Sequence, residues 1–585
     1  MNPRRVRSCL LIGLSLTLAA CAQSTTSSPA VPLAAATDSS IQTDPVESGA
    51  YLIGFRQSPT TIGTQSLGVL SVSAQALTVQ AAGGTVKTQF VDIAALAAHL
   101  TPAAVAALKA DPNVEYVEPD YRKHALDLAP TPAAAGVQSQ AISTQAVLGT
   151  ASGETTWGDA ALRVPALRAA GYTGAGVAVC ITDTGIDGNQ PEFTGRLRGY
   201  RNFTAEIGRD SAYSLNDVHQ HGTHVAGTVA AQYGIGSTHL GSGMNVNGVG
   251  GVASGVNLYM ARVLDDNGNG FTSDIINGVN WCTAQLKSKG GTENHVVISM
   301  SLSGGSFSTT EQRAYTAAYN AGAMIVAASG NWGTTVSYPA AYTNVLAVGA
   351  VDVNSQIAVF SNPGSKVALV GPGVNILSTR PLGQGTYMKA SATGLPAFSD
   401  ISSTDPLTTG NVSGTIVAAG GTNNEFCGTG VRNPALNGNI ALISRGNCNY
   451  EEKISNAYGS GAIAVMIYNT TTTHDAPGTM ALNTSYPIPA VGLSKNDGLA
   501  LRAKLPTTGT VSINSGTDYD FDNGTSMATP HVSAAAAVVW AAKPTLTPTQ
   551  LTSLLTSTAT DLGPAGKDNS YGYGLVNPYK AITGN

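Results

Sequence analysis

Along the middle of the chain, short apolar runs bounded by polar turns recur without a fixed period. Residues 176–181, 258–264, 296–300, 324–328 and 345–349 are almost continuously apolar and of strand length. Helical patterning separates or follows them at 222–231, 273–285, 310–321 and 525–541. Strands without polar alternation are buried on both faces, as in a parallel sheet covered by helices, so the expected class is α/β. A different pattern precedes this region. Residues 51–55 and 114–117 read as strands, and an Ala/Leu-rich stretch at 93–109, broken by Pro102, reads as helix. Residues 49–126 are therefore expected to form a small α+β unit, marginal if left alone. Residues 22–48 and 127–154, rich in Ser, Thr, Ala, Pro and Gln, read as a tether and a linker. Residues 381–516 interrupt the α/β rhythm, which resumes over 517–585.

Composition narrows the picture. The 585 residues call for several domains. Charged residues are 11% of the chain, against roughly 25% in an average soluble protein, and 67 glycines help fill the gap. The net charge of -5 gives no electrostatic footprint for nucleic acid. Arg4, Arg5 and Arg7 precede an apolar run from Leu10 to Ala20, too short to span a bilayer and matching an export signal over residues 1–21. The run ends in Leu18-Ala19-Ala20-Cys21, which resembles a bacterial lipobox; ordinary cleavage after Ala20 or Ala22 is the alternative. Of six cysteines, Cys9 leaves with the signal and lipidation would consume Cys21. Cys180, Cys282, Cys427 and Cys448 then remain, enough for two disulfides in an oxidising compartment. We expect Cys180 to pair with Cys282 and Cys427 with Cys448, buried free thiols being the alternative.

Three clusters carry chemistry. Thr182-Asp183-Thr184-Gly185 follows an apolar strand, and a strand's carboxyl end is where parallel sheets hold their sites. His221-Gly222-Thr223-His224 enters a helix. Gly524-Thr525-Ser526-Met527-Ala528 opens another, with a backbone N–H beside Ser526 to help hold an oxyanion. Each alone fits a turn or helix cap. Together, in the order Asp, His, Ser, they resemble the three signature blocks of the subtilisin family. The resemblance implies a subtilisin-like, three-layer parallel-sheet domain and a serine endopeptidase with Asp183, His221 and Ser526 as its triad. Ala328-Ser329-Gly330-Asn331 resembles the family's oxyanion block, making Asn331 the side-chain donor. Ser301-Leu302-Ser303 resembles the strand that binds extended peptide, with Ser303 where many relatives carry Gly. Glu192 and Asn247 lie near positions where relatives bind calcium, a structural ion; the chemistry itself needs no cofactor.

The resemblance extends further. Residues 51–126 look like an inhibitory prodomain, placing first autocleavage near Leu126, and residues 381–516 resemble a β-rich protease-associated (PA) domain, either a substrate-positioning module or a surface ornament. Removing that insert leaves about 290 residues from 155–380 and 517–583, the size of one subtilisin core. The expected partners are protein or peptide substrates and the prodomain, with no nucleic acid, and membrane only through a lipid on the precursor. A secreted monomer is expected. Two other readings remain to be tested: His219-Gln220-His221-Gly222-Thr223-His224 resembles a metallo-β-lactamase block but has Thr223 where that block needs Asp, and a binding protein could be built on an inactive protease.

Overall fold

The computed structural model describes residues 49–57, 60–62, 65–67, 69–126, 154–214, 217–242, 244–396, 398, 401–470 and 480–585. The export signal, Cys21, the tether and nearly all of the 127–154 linker lie outside these residues. No described helix is long and apolar enough to cross a membrane.

The N-terminal unit is a four-stranded antiparallel sheet with two helices. Its strands are β1 (Ala50–Phe55), β2 (Thr85–Phe90), β3 (Ala95–His99) and β4 (Val114–Pro119), in the order β2-β3-β1-β4. Helix α1 (Val72–Ala81) precedes β2, and α2 (Pro102–Ala110) follows β3 with Pro102 at its start. The expected helix over 93–109 is therefore a helix only in its second half. Ala and Leu favour helix, but β3 is hydrogen-bonded between β1 and β2, and that pairing outweighs the local preference. Alternation along the strands gives the sheet two apolar faces. Ile53, Leu96 and Ala98 pack with Val79, Ala104 and Leu108 of the unit's own helices. Leu52, Phe90, Ala95 and Ala97 pack against Ile276 and Ala314, far along the chain. The unit's last strand, β5 (Arg122–Ala125), leaves this sheet altogether.

The α/β region holds a seven-stranded sheet. In chain order its strands and neighbouring elements are β6 (Ala178–Asp183), β7 (Leu197–Asn202), α3 (His221–Ala230), β8 (Asn257–Arg262), β9 (Asn269–Phe271), α4 (Thr272–Thr283), β10 (Val296–Met300), β11 (Leu302–Ser303), α5 (Thr309–Ala321), β12 (Met324–Ala328), β13 (Val345–Val351), β14 (Val367–Pro372) and β15 (Ile376–Thr379). The sheet runs β14-β13-β12-β10-β6-β8-β7 and every recorded pairing within it is parallel. Its two faces explain the unbroken apolar runs. Val179, Ile181, Leu258 and Met260 enter one core, while Cys180, Ala261, Ile298 and Ile275 of α4 enter the other. Cys180 is bonded to Cys282 across that second layer.

The insert is a separate eight-stranded sheet with two helices. It comprises β16 (Gly385–Ala392), β17 (Ile401–Asp405), β18 (Gly410–Ala418), β19 (Ile440–Ser444), α6 (Tyr450–Gly459), β20 (Ala464–Tyr468), β21 (Met480–Ala481), β22 (Ala490–Leu493), α7 (Lys495–Arg502) and β23 (Thr507–Thr517). Cys427 is bonded to Cys448 within it. The chain enters after β15 and returns as β24 (Tyr519–Asp522), which pairs antiparallel with β15. That ribbon brings the insert's two ends together, so the α/β region continues directly into α8 (Thr525–Ala542). Every residue of α8 from Thr525 to Trp540 is buried, as its apolar character all round requires.

Candidate active site

Strand β6 ends on Asp183, fully buried, whose Oδ1 lies 2.7 Å from His221 Nδ1. His221 opens α3 after Gln220, which adopts a left-handed conformation at φ 75°. Asp217 holds this turn. Its carboxylate accepts the N–H groups of Gln220 (3.0 Å) and Thr223 (2.7 Å), the Thr184 hydroxyl (2.7 Å) and the Thr223 hydroxyl. Thr184 in turn accepts from the Gly222 N–H at 2.9 Å. One buried carboxylate thus ties the end of β6 to the start of α3, and so fixes the separation of Asp183 and His221. Asp217 was not singled out from the sequence; an acidic residue just ahead of a helix is the signal that could have found it.

Ser526 is the second residue of α8 and is fully buried; its hydroxyl donates to the Ser301 carbonyl at 3.1 Å. Pro530 lies inside the same helix, where it has no N–H to offer the carbonyl four residues earlier. That carbonyl belongs to Ser526, and the Ser301 hydroxyl donates to it instead at 2.8 Å. Ser301 therefore clasps the serine from both sides. The motif's other histidines are turned elsewhere. His224 Nε2 pairs with the Ile376 carbonyl at 2.9 Å and His531 Nδ1 with that of Met527 at 2.7 Å. Burial pushes both imidazoles down to about 4, so both are neutral near pH 7. His224 thus engages backbone rather than joining His221 and His219 around an ion.

Asn331 is buried three residues past β12. Its Oδ1 accepts both the Thr525 N–H (2.9 Å) and the Thr525 hydroxyl (2.7 Å), which fixes the amide with Nδ2 outward. Nδ2 donates to the carbonyl of Leu126 at 2.9 Å. Leu126 follows β5, and β5 lies between β9 and β11 as the centre of a three-stranded antiparallel ribbon. Ala125 pairs with Leu302, and His124 with both Ser303 and Asn269. The end of the N-terminal unit therefore occupies the site as an extended peptide, its last described carbonyl on an amide donor. Of the three residues expected to form a peptide-binding edge, Leu302 and Ser303 pair with β5, while Ser301 bonds to Ser526. Thr525, which orients Asn331, was hidden in the serine motif.

The unit is also held by two helix caps. Glu118 accepts the N–H groups of Thr309 (3.0 Å) and Thr310 (2.9 Å) at the start of α5. Asp120 accepts the Ser273 N–H at the start of α4 at 2.9 Å. Both placements suit the positive end of a helix. Burial pushes the Asp120 carboxyl up to about 6.

Glu192 and Asn247 meet near Glu154. Glu192 is fully buried and accepts the Tyr519 hydroxyl at 2.8 Å, and Asn247 Nδ2 donates to Glu154 Oε1 at 2.8 Å. A Cβ on Gly248 would come within 2.3 Å of Glu192 Oε1, so the loop cradles that carboxylate closely. Two carboxylates and an amide around a tight backbone fit a hard, oxygen-seeking cation. Among the described residues, no group of three or more His, Cys, Asp or Glu side chains forms a metal site.

The sequence matches the profile of the subtilase family over residues 174–419 and that of the PA domain over 412–501. Subtilisin E of Bacillus subtilis is 34% identical over 342 residues, 58% of this chain and 74% of that protein. An alkaline protease of Alkalihalobacillus alcalophilus is 32% identical over 376 residues, 64% of this chain and 79% of its own length. Among solved structures, the psychrophilic subtilisin-like protease Apa1 from the Antarctic psychrotroph Pseudoalteromonas sp. AS-11 superposes with a TM-score of 0.59 at 30% identity, covering 74% of this chain and 98% of that one. Fervidolysin of Fervidobacterium pennivorans, at 21% identity and a TM-score of 0.54 over 92% of this chain and 61% of its own, shares the fold.

Proposed function

The chain belongs to the subtilase family and is a serine endopeptidase of that family, and on that premise we propose that Ser526, His221 and Asp183 carry out the cleavage. Ser526 Oγ attacks the scissile carbonyl while His221 takes its proton; Asp183 holds the imidazole tautomer and stabilises its cation. The developing oxyanion is received by Asn331 Nδ2 and the N–H beside the serine. Collapse breaks the C–N bond, His221 returns the proton to the leaving amine, and water hydrolyses the acyl-enzyme by the same steps in reverse roles.

The observation that carries this reading is the Leu126 carbonyl on Asn331, at the end of a strand bonded along β11. Residues 49–126 accordingly act as an intramolecular inhibitor, cut first after Leu126, ahead of a catalytic domain made of 155–380 and 517–585 and interrupted by the PA insert at 381–516. Export through residues 1–21 delivers the precursor, any lipid on Cys21 stays with the prodomain side of the cut, and the protease is released to the exterior as a monomer. Glu192, Glu154 and Asn247 hold a structural calcium ion without part in the chemistry.

A serine-directed fluorophosphonate should label the matured protein at Ser526, and Ser526→Ala should abolish labelling, hydrolysis of denatured casein and release of the prodomain. Hydrolysis that survives Ser526→Ala would overturn the assignment.

A further inference from the structure

The strand lying in the cleft carries a charged side chain where the protein has built a charged receptacle. Counting back from the Leu126 carbonyl, the fourth residue on the acyl side is Lys123, paired in β5 with Gly270 of β9. Alternation along the strand points it inward, and it is fully buried. Its ammonium donates to the Gly304 carbonyl at 3.0 Å and lies 3.0 Å from Glu311 Oε2. Glu311 is also fully buried, at the first turn of α5. Two tyrosine hydroxyls donate to it, Tyr315 to Oε1 at 2.5 Å and Tyr342 to Oε2 at 2.7 Å.

Glu311, Tyr315, Tyr342 and Gly304 all belong to the α/β region, so this acidic pocket stays with the enzyme when the tail leaves. A peptide substrate bound along β9 and β11 presents its own fourth residue to the same place. An apolar side chain there would cover a carboxylate left with only its two tyrosine partners, and an acidic one would set two carboxylates together in a desolvated pocket. Both are penalised, because a buried charge needs a hydrogen-bonded counterpart. We propose that Glu311 makes this enzyme select substrates with a basic residue, lysine above all, four positions before the scissile bond on the acyl side. The preference for lysine follows from the pocket's demand: a compact ammonium meets one carbonyl and one carboxylate oxygen, whereas a planar guanidinium brings five donors to two acceptors. The prodomain tail exploits the same recognition, so its Lys123 holds the cleft closed before maturation. This inference rests on the catalytic reading above.

The test uses enzyme recovered after the full-length chain has processed itself. Fluorogenic tetrapeptides ending in His-Ala-Leu before the leaving group carry Lys, Arg, Leu or Glu in the fourth position, and kcat/KM is measured for each. Lys should exceed Leu by roughly tenfold to a hundredfold, the span that hydrogen bonds to a charged partner support, with Arg between them and Glu lowest. In Glu311→Gln the Lys-to-Leu ratio should fall below about three, by loss of that same charged partner. A flat wild-type profile, or a lysine preference retained in folded Glu311→Gln, overturns the proposal. If Glu311→Gln does not fold, the wild-type ratio alone decides. Failure to cleave any of the peptides, together with no fluorophosphonate labelling at Ser526, would instead overturn the catalytic reading and this inference with it.

Discussion

Replacing Asn331 by leucine keeps the branched shape of the side chain and removes its donor. The amide is held by two donors from Thr525, at 2.9 and 2.7 Å, so Nδ2 cannot turn away from the carbonyl 2.9 Å in front of it. A donor held in advance at a buried position stabilises charge as it develops and costs no reorganisation in doing so. Loss of one such donor removes about 10²–10³ from kcat, or roughly 3–4 kcal/mol of transition-state stabilisation. The substrate carbonyl in the ground state is a weaker acceptor, so KM should change little. Thr525→Val removes one of the two bonds that orient the amide and keeps the backbone N–H. A single net hydrogen bond of about 0.5–1.5 kcal/mol translates to a loss of roughly threefold to tenfold in kcat. Steady-state kinetics on a soluble peptide, with active sites counted by titration, separate the two constants. An Asn331→Leu enzyme that keeps more than a tenth of its kcat would refute the reasoning, as would a variant whose KM rises while kcat holds.

Other outcomes follow from the same contacts. In the uncleaved Ser526→Ala chain, Asp120 rises from 3.8 to about 6 on burial; a raised carboxyl contributes stability that is present below 3.8 and lost as pH climbs through 6. Asp120→Asn should therefore gain on its parent between pH 4 and 7, by at most about 3 kcal/mol at about 1.4 per pKa unit, in denaturant titrations at the two pH values; equal differences at both would count against it. The Cys180–Cys282 bond spans 102 residues and the Cys427–Cys448 bond 21, so replacing both members of the first pair by alanine should cost about 2–5 kcal/mol and more than the same change in the second. A calcium chelator should lower the unfolding midpoint of the matured enzyme, and Glu192→Gln should remove most of that sensitivity; an unchanged midpoint in wild type would remove the ion from the account.

The parts of this protein readable from its sequence are those whose signal is local. Apolar runs marked β6, β10, β12 and β13 because burial on both faces leaves no polar alternation. Asp183, His221 and Ser526 stand at strand and helix ends, where a few neighbouring residues set the backbone and make a recognisable block. The segment before Pro102 is a strand instead of the expected helix for the complementary reason: residues 95–99 take their conformation from β1 and β2 beside them, and propensity within a window does not register those partners. Asp217 lies close in sequence to His221, but its role depends on reaching Thr184 at the end of another element. Only the tertiary structure decided that Thr525 locks Asn331, that Pro530 gives Ser301 its second bond to the serine residue, and that Lys123 meets Glu311. Each of these pairs joins segments distant along the chain, and whether they touch depends on sheet order, strand register and the direction of each side chain. Periodicity and capping act over a few residues, whereas buried polar partners are chosen by packing. The candidate catalytic blocks are legible because they are local; the proposed selectivity is not, because it is built from contacts across the fold.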